Sequence, residues 1–269
     1  MRFRSPARDA VPRAVFDHPA YAPFQPHAAW LTGPWPAVDA LNEGFDAPRH
    51  ARSGASLRFV EQTPALLADG RHYEARIHDT GLIATRAANW HDLFNALMWM
   101  ERFALKCAVN AAYVREAARG LPGPRTRPQC ALTHFDEAGA LVVLRDTSLL
   151  PAWDAHDWHA LFWCGHWHAD AQLVLFGHAL LEHLLLPGAM PVAKCLVTIG
   201  DDTASAVQAV ADAIAAGDAL RDPAELRPLP LAGLAGWHPD NSHEHFVREA
   251  ACFRPRRPDR VYPAPLRVM

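Results

Sequence analysis

Asn89-Trp90-His91-Asp92-Leu93-Phe94-Asn95-Ala96-Leu97 is apolar around most of a helical circumference yet carries a narrow polar line. At about 100° per residue, Trp90, Leu93, Phe94, Leu97 and Met100 share one face. A helix apolar nearly all round belongs inside a fold rather than on its surface. Its polar groups then need partners, and such partners often form a site. Asn89 reads as the N-cap, and Asp92, at the third helical position, as a variant of the capping box. His91, Asn95 and Arg102 make up the polar line. The first-turn position of His91 predicts a neutral imidazole, because the helix dipole disfavours positive charge there.

Working outward, residues 1–56 are rich in Pro, Ala and Arg and predict an irregular lead-in with short helices, one near residues 35–42. Residues 57–62 read as a strand. Residues 73–78 and 82–86 flank Asp79-Thr80-Gly81, which predicts a hairpin. The buried helix spans 90–103 and a second spans 105–119, ahead of the breaker run Pro122-Gly123-Pro124. Residues 131–135 and 140–144 predict a second hairpin around Asp136-Glu137-Ala138-Gly139. Short helices fit 149–153 and 157–163. Residues 173–176 form either a strand or the start of a helix covering 178–186. Residues 194–199 and 203–216 read as a strand-to-helix unit, and the Pro-rich tail from 226 reads as extended over the surface. No repeat and no linker is evident. The expectation is one α+β domain over 57–257, helix-rich with short hairpins, with the lead-in packed on it and residues 258–269 as a tail.

Composition narrows the function classes. With 269 residues, 50% hydrophobic and 20% charged, the chain can bury a proper core. A net charge of −3 gives no general pull toward nucleic acid or an anionic membrane. No apolar run is long enough for a membrane span, and the N-terminal segment lacks the apolar stretch of a secretory signal. Five cysteines without a CxxC pair predict reduced, mostly buried thiols in a cytoplasmic protein. The P-loop, Rossmann, nucleophile-elbow and HExxH signatures are absent, which argues against the usual nucleotide, dinucleotide and α/β-hydrolase chemistries.

Sixteen histidines and nine tryptophans are the compositional excess. In Phe176-Gly177-His178-Ala179-Leu180-Leu181-Glu182-His183, His178 and Glu182 are four apart and stack on one helical face. That spacing suits two ligands of one metal ion, or a Glu that orients a His. Gly177 permits close approach of another backbone, and His183 points to the surface. His166 and His168 read as surface residues. Pro239-Asp240-Asn241 reads as a turn that either bonds locally or supplies a third ligand through Asp240. The basic run Arg254, Arg256, Arg257 and Arg260 reads as a solvated end, with phosphate binding as its alternative.

Taken together, Thr85-Arg86 leading into Asn89–Leu97, Phe135-Asp136-Glu137, His156-Asp157-Trp158 with Leu161-Phe162-Trp163, Phe176-Gly177-His178-Ala179-Leu180 with Glu182, Gly236-Trp237 with Pro239-Asp240-Asn241, and Phe253-Arg254-Pro255 resemble the bacterial family catalogued as domain of unknown function 3025. The resemblance covers most of residues 57–257. It implies a cytoplasmic bacterial protein with one domain over nearly its whole length, and it implies no activity. Phe103-Ala104-Leu105-Lys106 departs from the Phe-Pro that the family tends to place before this Lys. Val247-Arg248-Glu249 departs from its Tyr and acidic residues ahead of Phe-Arg-Pro.

These readings predict a polar pocket between the Asn89 helix and the His178 helix. His91, Asn95, His178 and Glu182 are the candidate catalytic residues. His91, His178, Glu182 and Asp240 are the candidate ligands of a divalent metal, with Asp92 as the alternative completing group. Zinc suits His and carboxylate ligands at a tetrahedral site, and iron or manganese fits too. The expected chemistry is hydrolysis of a small-molecule substrate by metal-activated water or by a His/carboxylate acid–base set. The competing expectation is a non-catalytic binding or structural protein whose His, Asn and Asp side chains form a buried hydrogen-bond network.

Overall fold

In the computed structural model, residues 3–46, 48–119 and 124–267 are described. The first of the two sheets is small. Strands β1 (Arg58–Glu61) and β2 (Leu82–Thr85) pair in parallel, Arg58 opposite Leu82 and Glu61 opposite Thr85. Helix α1 (Tyr73–Thr80) crosses between them, so the hairpin expected at residues 73–86 is a parallel strand–helix–strand unit instead. Gly81 is the reason the two readings look alike in sequence. Its left-handed conformation (φ 73°) caps the C-terminus of α1, with its N–H donating to the Ile77 carbonyl, rather than turning a hairpin.

The five-stranded main sheet is built on the pair β3 (Gly139–Leu144) and β5 (Val192–Ile199), which run parallel. Strand β4 (Ala171–Leu175) pairs antiparallel with β3 on one side. On the other side of β5 lie the antiparallel β6 (Arg227–Pro230), against its first half, and the parallel β7 (Leu266–Arg267), against its second. The segment from 226 is therefore not merely laid over the surface: β6 is part of the sheet, with Arg227, Leu229 and Pro230 buried. Its two prolines fit an edge strand, which can do without some N–H donors.

The remaining large helices are α2 (Trp90–Glu101), α3 (Phe103–Arg119), α4 (Arg127–Ala138), α5 (His178–His183) and α6 (Thr203–Ala216). Side chains alternate across β3: Ala140, Val142 and Leu144 join a core with α2, α5 and the lead-in, while Leu141 and Val143 join a core with α3, α4 and α6. Burial on both faces explains why β3 and β5 read as continuous apolar runs rather than alternating ones. The lead-in contributes Phe16, Tyr21, Phe24 and Leu31 to the first core. The chain is thus α+β, with helices on both faces of a mixed sheet.

The second expected hairpin, around Asp136–Gly139, is also replaced. Thr126 and Gln129 form a reciprocal capping box that starts α4, and the helix runs through Ala138 before β3 begins at Gly139. Residues 173–176 resolve as a strand, and α5 ends at His183, short of residue 186. Of the breaker run, Pro122 and Gly123 lie outside the described residues. All five cysteines are free thiols; Cys107, Cys195 and Cys252 are buried.

Candidate functional site

Five helices, α1 to α5, bring polar groups toward one region. Helix α2 starts at Asn89, whose side-chain oxygen accepts from the Asp92 N–H at 3.0 Å, and this fixes where His91 and Asn95 project. Helix α5 starts at Gly177, whose N–H donates to the Gly139 carbonyl at 2.7 Å. A Cβ at Gly177 would lie 2.5 Å from the Ala138 Cα, so only glycine lets the start of α5 press on the end of α4. That contact sets His178 beside Asp136 and Glu137.

The two imidazoles meet through their Nε2 atoms, 3.0 Å apart. Glu137 Oε2 lies 3.6 Å from His178 Nε2. His91, Glu137 and His178 each offer one donor atom, all within 4.8 Å of one another. Nitrogen ligands about 2.0–2.1 Å from a tetrahedral zinc are about 3.3–3.4 Å apart, so the two His178 separations lie near the edge length of a coordination polyhedron. On its other side, His91 Nδ1 bonds Glu182 Oε2 at 3.0 Å, the carboxylate–histidine arrangement that orients metal-bound imidazoles. The Ser5 hydroxyl, from the lead-in, donates to the other Glu182 oxygen.

Beneath this group runs a buried chain of bonds. Lys106 on α3 donates to Asp136 at 2.6 Å and to the Asn95 side-chain oxygen at 2.9 Å. Asn95 donates to the Tyr73 hydroxyl at 2.7 Å, and Asn110 donates to Glu74 at 2.6 Å. Tyr73, Glu74, His91, Asn95, Asp136, Glu137 and His178 help to line one cavity of about 190 Å³.

Electrostatics assign the protonation states. Burial pushes His178 down to about 3, outweighing the attraction of Asp136, so its imidazole is neutral and its 3.9 Å approach to Asp136 is not an ion pair. Burial also pulls His91 down, but the bond to Glu182 and the charges of Glu137, Glu182 and Asp92 outweigh it, and the net shift is upward. That upward shift opposes the bias expected of a helix N-terminus, because nearby carboxylates act on the ring as well. His91 Nδ1 thus pairs with Glu182 and its Nε2 with His178 Nε2. Burial, followed by the charge of Asp136, pushes Glu74 up to about 7, and burial likewise raises Glu137. Glu182 is lowered, because its bonds to His91 and Ser5 overcome its burial.

The structure therefore brings together His91, His178 and Glu182, with Asn95 lining the same cavity and tied through Lys106 to Asp136. Glu182 occupies the far side of His91, not the side shared with His178. Asp240 is not in this group; it lies exposed on a short 3-10 turn (Pro239–Ser242) beside His238. Asp92 is held by Arg86, whose guanidinium and backbone N–H both donate to it, each at 2.6 Å. Glu137, Asp136, Lys106, Tyr73 and Glu74 were not among the expected site residues. Asp136-Glu137-Ala138-Gly139 carries turn composition, which concealed the last turn of a helix whose start is signalled by Thr126 and Gln129.

Fold and site define a helix-flanked α+β protein with a two-histidine, one-carboxylate cluster, of which His178 is buried and His91 and Glu137 are partly exposed. The family profile described as "Protein of unknown function (DUF3025)" matches residues 57–257, and the chain belongs to that family. Comparison with curated proteins and with solved structures gives no match to the chain.

Proposed function

We propose that His91, His178 and Glu137 hold a divalent metal ion and that the protein is a metal-dependent hydrolase of a small polar substrate. The observation that carries this reading is the convergence of three donor atoms within 4.8 Å of one another, with a carboxylate behind His91. Three protein ligands leave a coordination position for water, and a bound ion brings the pKa of that water toward neutrality. Glu74, at about 7 and lining the same cavity, is matched to proton transfer near neutral pH. Zinc is the first choice for this ligand set; manganese or iron is the alternative.

The test is hydrolysis of a panel of small esters, amides and phosphoesters by protein reconstituted with zinc or manganese. Turnover that requires the metal and is lost in Glu137→Gln and His178→Ala supports the reading. Metal binding without turnover on any of the panel counts against the hydrolase.

The connected chain Lys106–Asp136, Lys106–Asn95 and Asn95–Tyr73 favours a second reading, in which the polar cluster is a structural network holding the Trp-rich core. Under it, His91→Ala and Glu182→Ala lower the melting temperature substantially. Under the enzyme reading both variants keep a fold close to wild type, because functional polar groups are seldom optimised for stability.

A further inference from the structure

A second cavity, of about 740 Å³, opens between the first half of β5, the edge strand β6 and residues 251–262. That volume lies in the range of small-molecule sites. Its wall divides by chemistry. Met190, Val192, Pro228, Pro230 and Cys252 give an apolar surface, and the cations Lys194, Arg254 and Arg257 also line it. No Asp or Glu is among the lining residues. Among the described residues, the side chains of Lys194, Arg254 and Arg257 make no ion pair or hydrogen bond.

Lys194 is the telling residue. It projects from β5 in a half-buried setting that lowers its pKa, and its charge has no counterion there. Such an ammonium is held at a cost in free energy that a bound anion offsets. His134 also lines the wall without a hydrogen-bond partner among the described residues, and burial and the charge of Lys194 hold it toward the neutral form; the remaining polar groups are engaged. Arg260 donates to the carbonyls of Ala224 and Leu226 and lies over the Tyr262 ring. His156 bonds the Tyr262 hydroxyl at 2.8 Å, and burial holds its imidazole toward the neutral form. Three uncommitted cations beside an apolar wall, with no carboxylate to neutralise them, make a positive, partly desolvated concavity.

We propose that this cavity is a binding site for a small amphiphilic anion, its carboxylate or phosphate head on Lys194, Arg254 and Arg257 and its apolar body against Met190, Val192, Pro228 and Pro230. The site is separate from the histidine cluster and stands independently of any metal there.

Isothermal titration of the full chain with octanoate, octyl phosphate, inorganic phosphate and neutral octanol tests it. The variant for comparison is Lys194→Gln/Arg257→Gln, whose fold is checked by circular dichroism. At least one octyl anion binds saturably, and the stronger of the two identifies the head group. Octanol and inorganic phosphate each bind about tenfold more weakly or worse, and the variant loses about a hundredfold, the worth of two lost charge-assisted contacts at about tenfold each. The proposal is overturned if neither anion binds saturably in the millimolar range, if octanol or inorganic phosphate binds as tightly as the octyl anion, or if the folded variant binds like wild type.

Discussion

His91 is the hinge of the site because its two ring nitrogens do different work. Nδ1 is committed to Glu182, so Nε2 is the atom that meets His178 and would meet a metal. Glu182→Gln removes the charge that holds the His91 proton, and burial then dominates. The His91 pKa should fall in an NMR titration, and metal affinity should drop by about 10–100-fold, the usual effect of losing such an orienting carboxylate. An unchanged His91 titration would contradict the assigned pairing. The raised His91 pKa also fixes a sign for metal binding. Below that pKa a metal must displace the Nε2 proton, so affinity should rise with pH up to the His91 pKa and then level off, with proton release measurable by titration in buffers of different ionisation enthalpy. At this scale helical spacing made His178 and Glu182 legible as one face, and His91 as the polar residue of its own helix that needs a partner. Glu137 was hidden, because Asp-Glu-Ala-Gly is equally good turn chemistry.

Among the elements, the end of α4, the start of β3 and the start of α5 act as one unit. They meet at Gly139 and Gly177, where backbone lies on backbone. Gly177→Ala has no room for its methyl group and should cost about 1–3 kcal/mol, as overpacking does. That corresponds to a fall of about 2–4 °C in melting temperature per kcal/mol, read by calorimetry. A wild-type melting curve would refute the close contact. The need for a small residue at Gly177 was readable in the sequence, but what it approaches was not, since the partner backbone is some forty residues away. The two expected hairpins failed for one reason: short alternating runs of five or six residues fit helix and strand alike, and the deciding signals were caps. Gly81 ends a helix in the left-handed conformation, and Thr126 with Gln129 begins one. The longer patterns of α2, α3 and α6 carried enough helical periodicity to be read directly.

Across the whole molecule, stability and site chemistry share the buried ionisable groups. His178, at about 3 when folded, takes up its proton more readily in the unfolded chain, so its contribution is present above about 6.5 and is lost progressively as pH falls toward 3. Glu74 works in the opposite direction. With its folded pKa raised to about 7, it contributes stability that is full below the unfolded carboxyl value of about 4.5 and is lost as pH rises through 7. Glu74→Gln should therefore gain on wild type as pH rises from about 4.5 to 7, by at most about 1.4 kcal/mol per pH unit, read from urea melts at fixed pH values. A stability difference that stays constant over that window would show that Glu74 does not hold its proton in the fold.

The two-core plan, with helices on both faces of the sheet, was legible in the sequence only as "helix-rich α+β". The parallel pairing of β3 with β5 joins segments about fifty residues apart, and local pattern does not encode that pairing. Among the described residues, no helix is long and apolar enough to cross a membrane.

The most direct test of the account is the metal content of the purified chain after equilibrium dialysis against zinc or manganese, for wild type and the Glu137→Gln/His178→Ala variant. Wild type should hold close to one ion per chain, and the folded variant should lose it. Less than about a tenth of an equivalent in wild type, or the same content in both proteins, would contradict it.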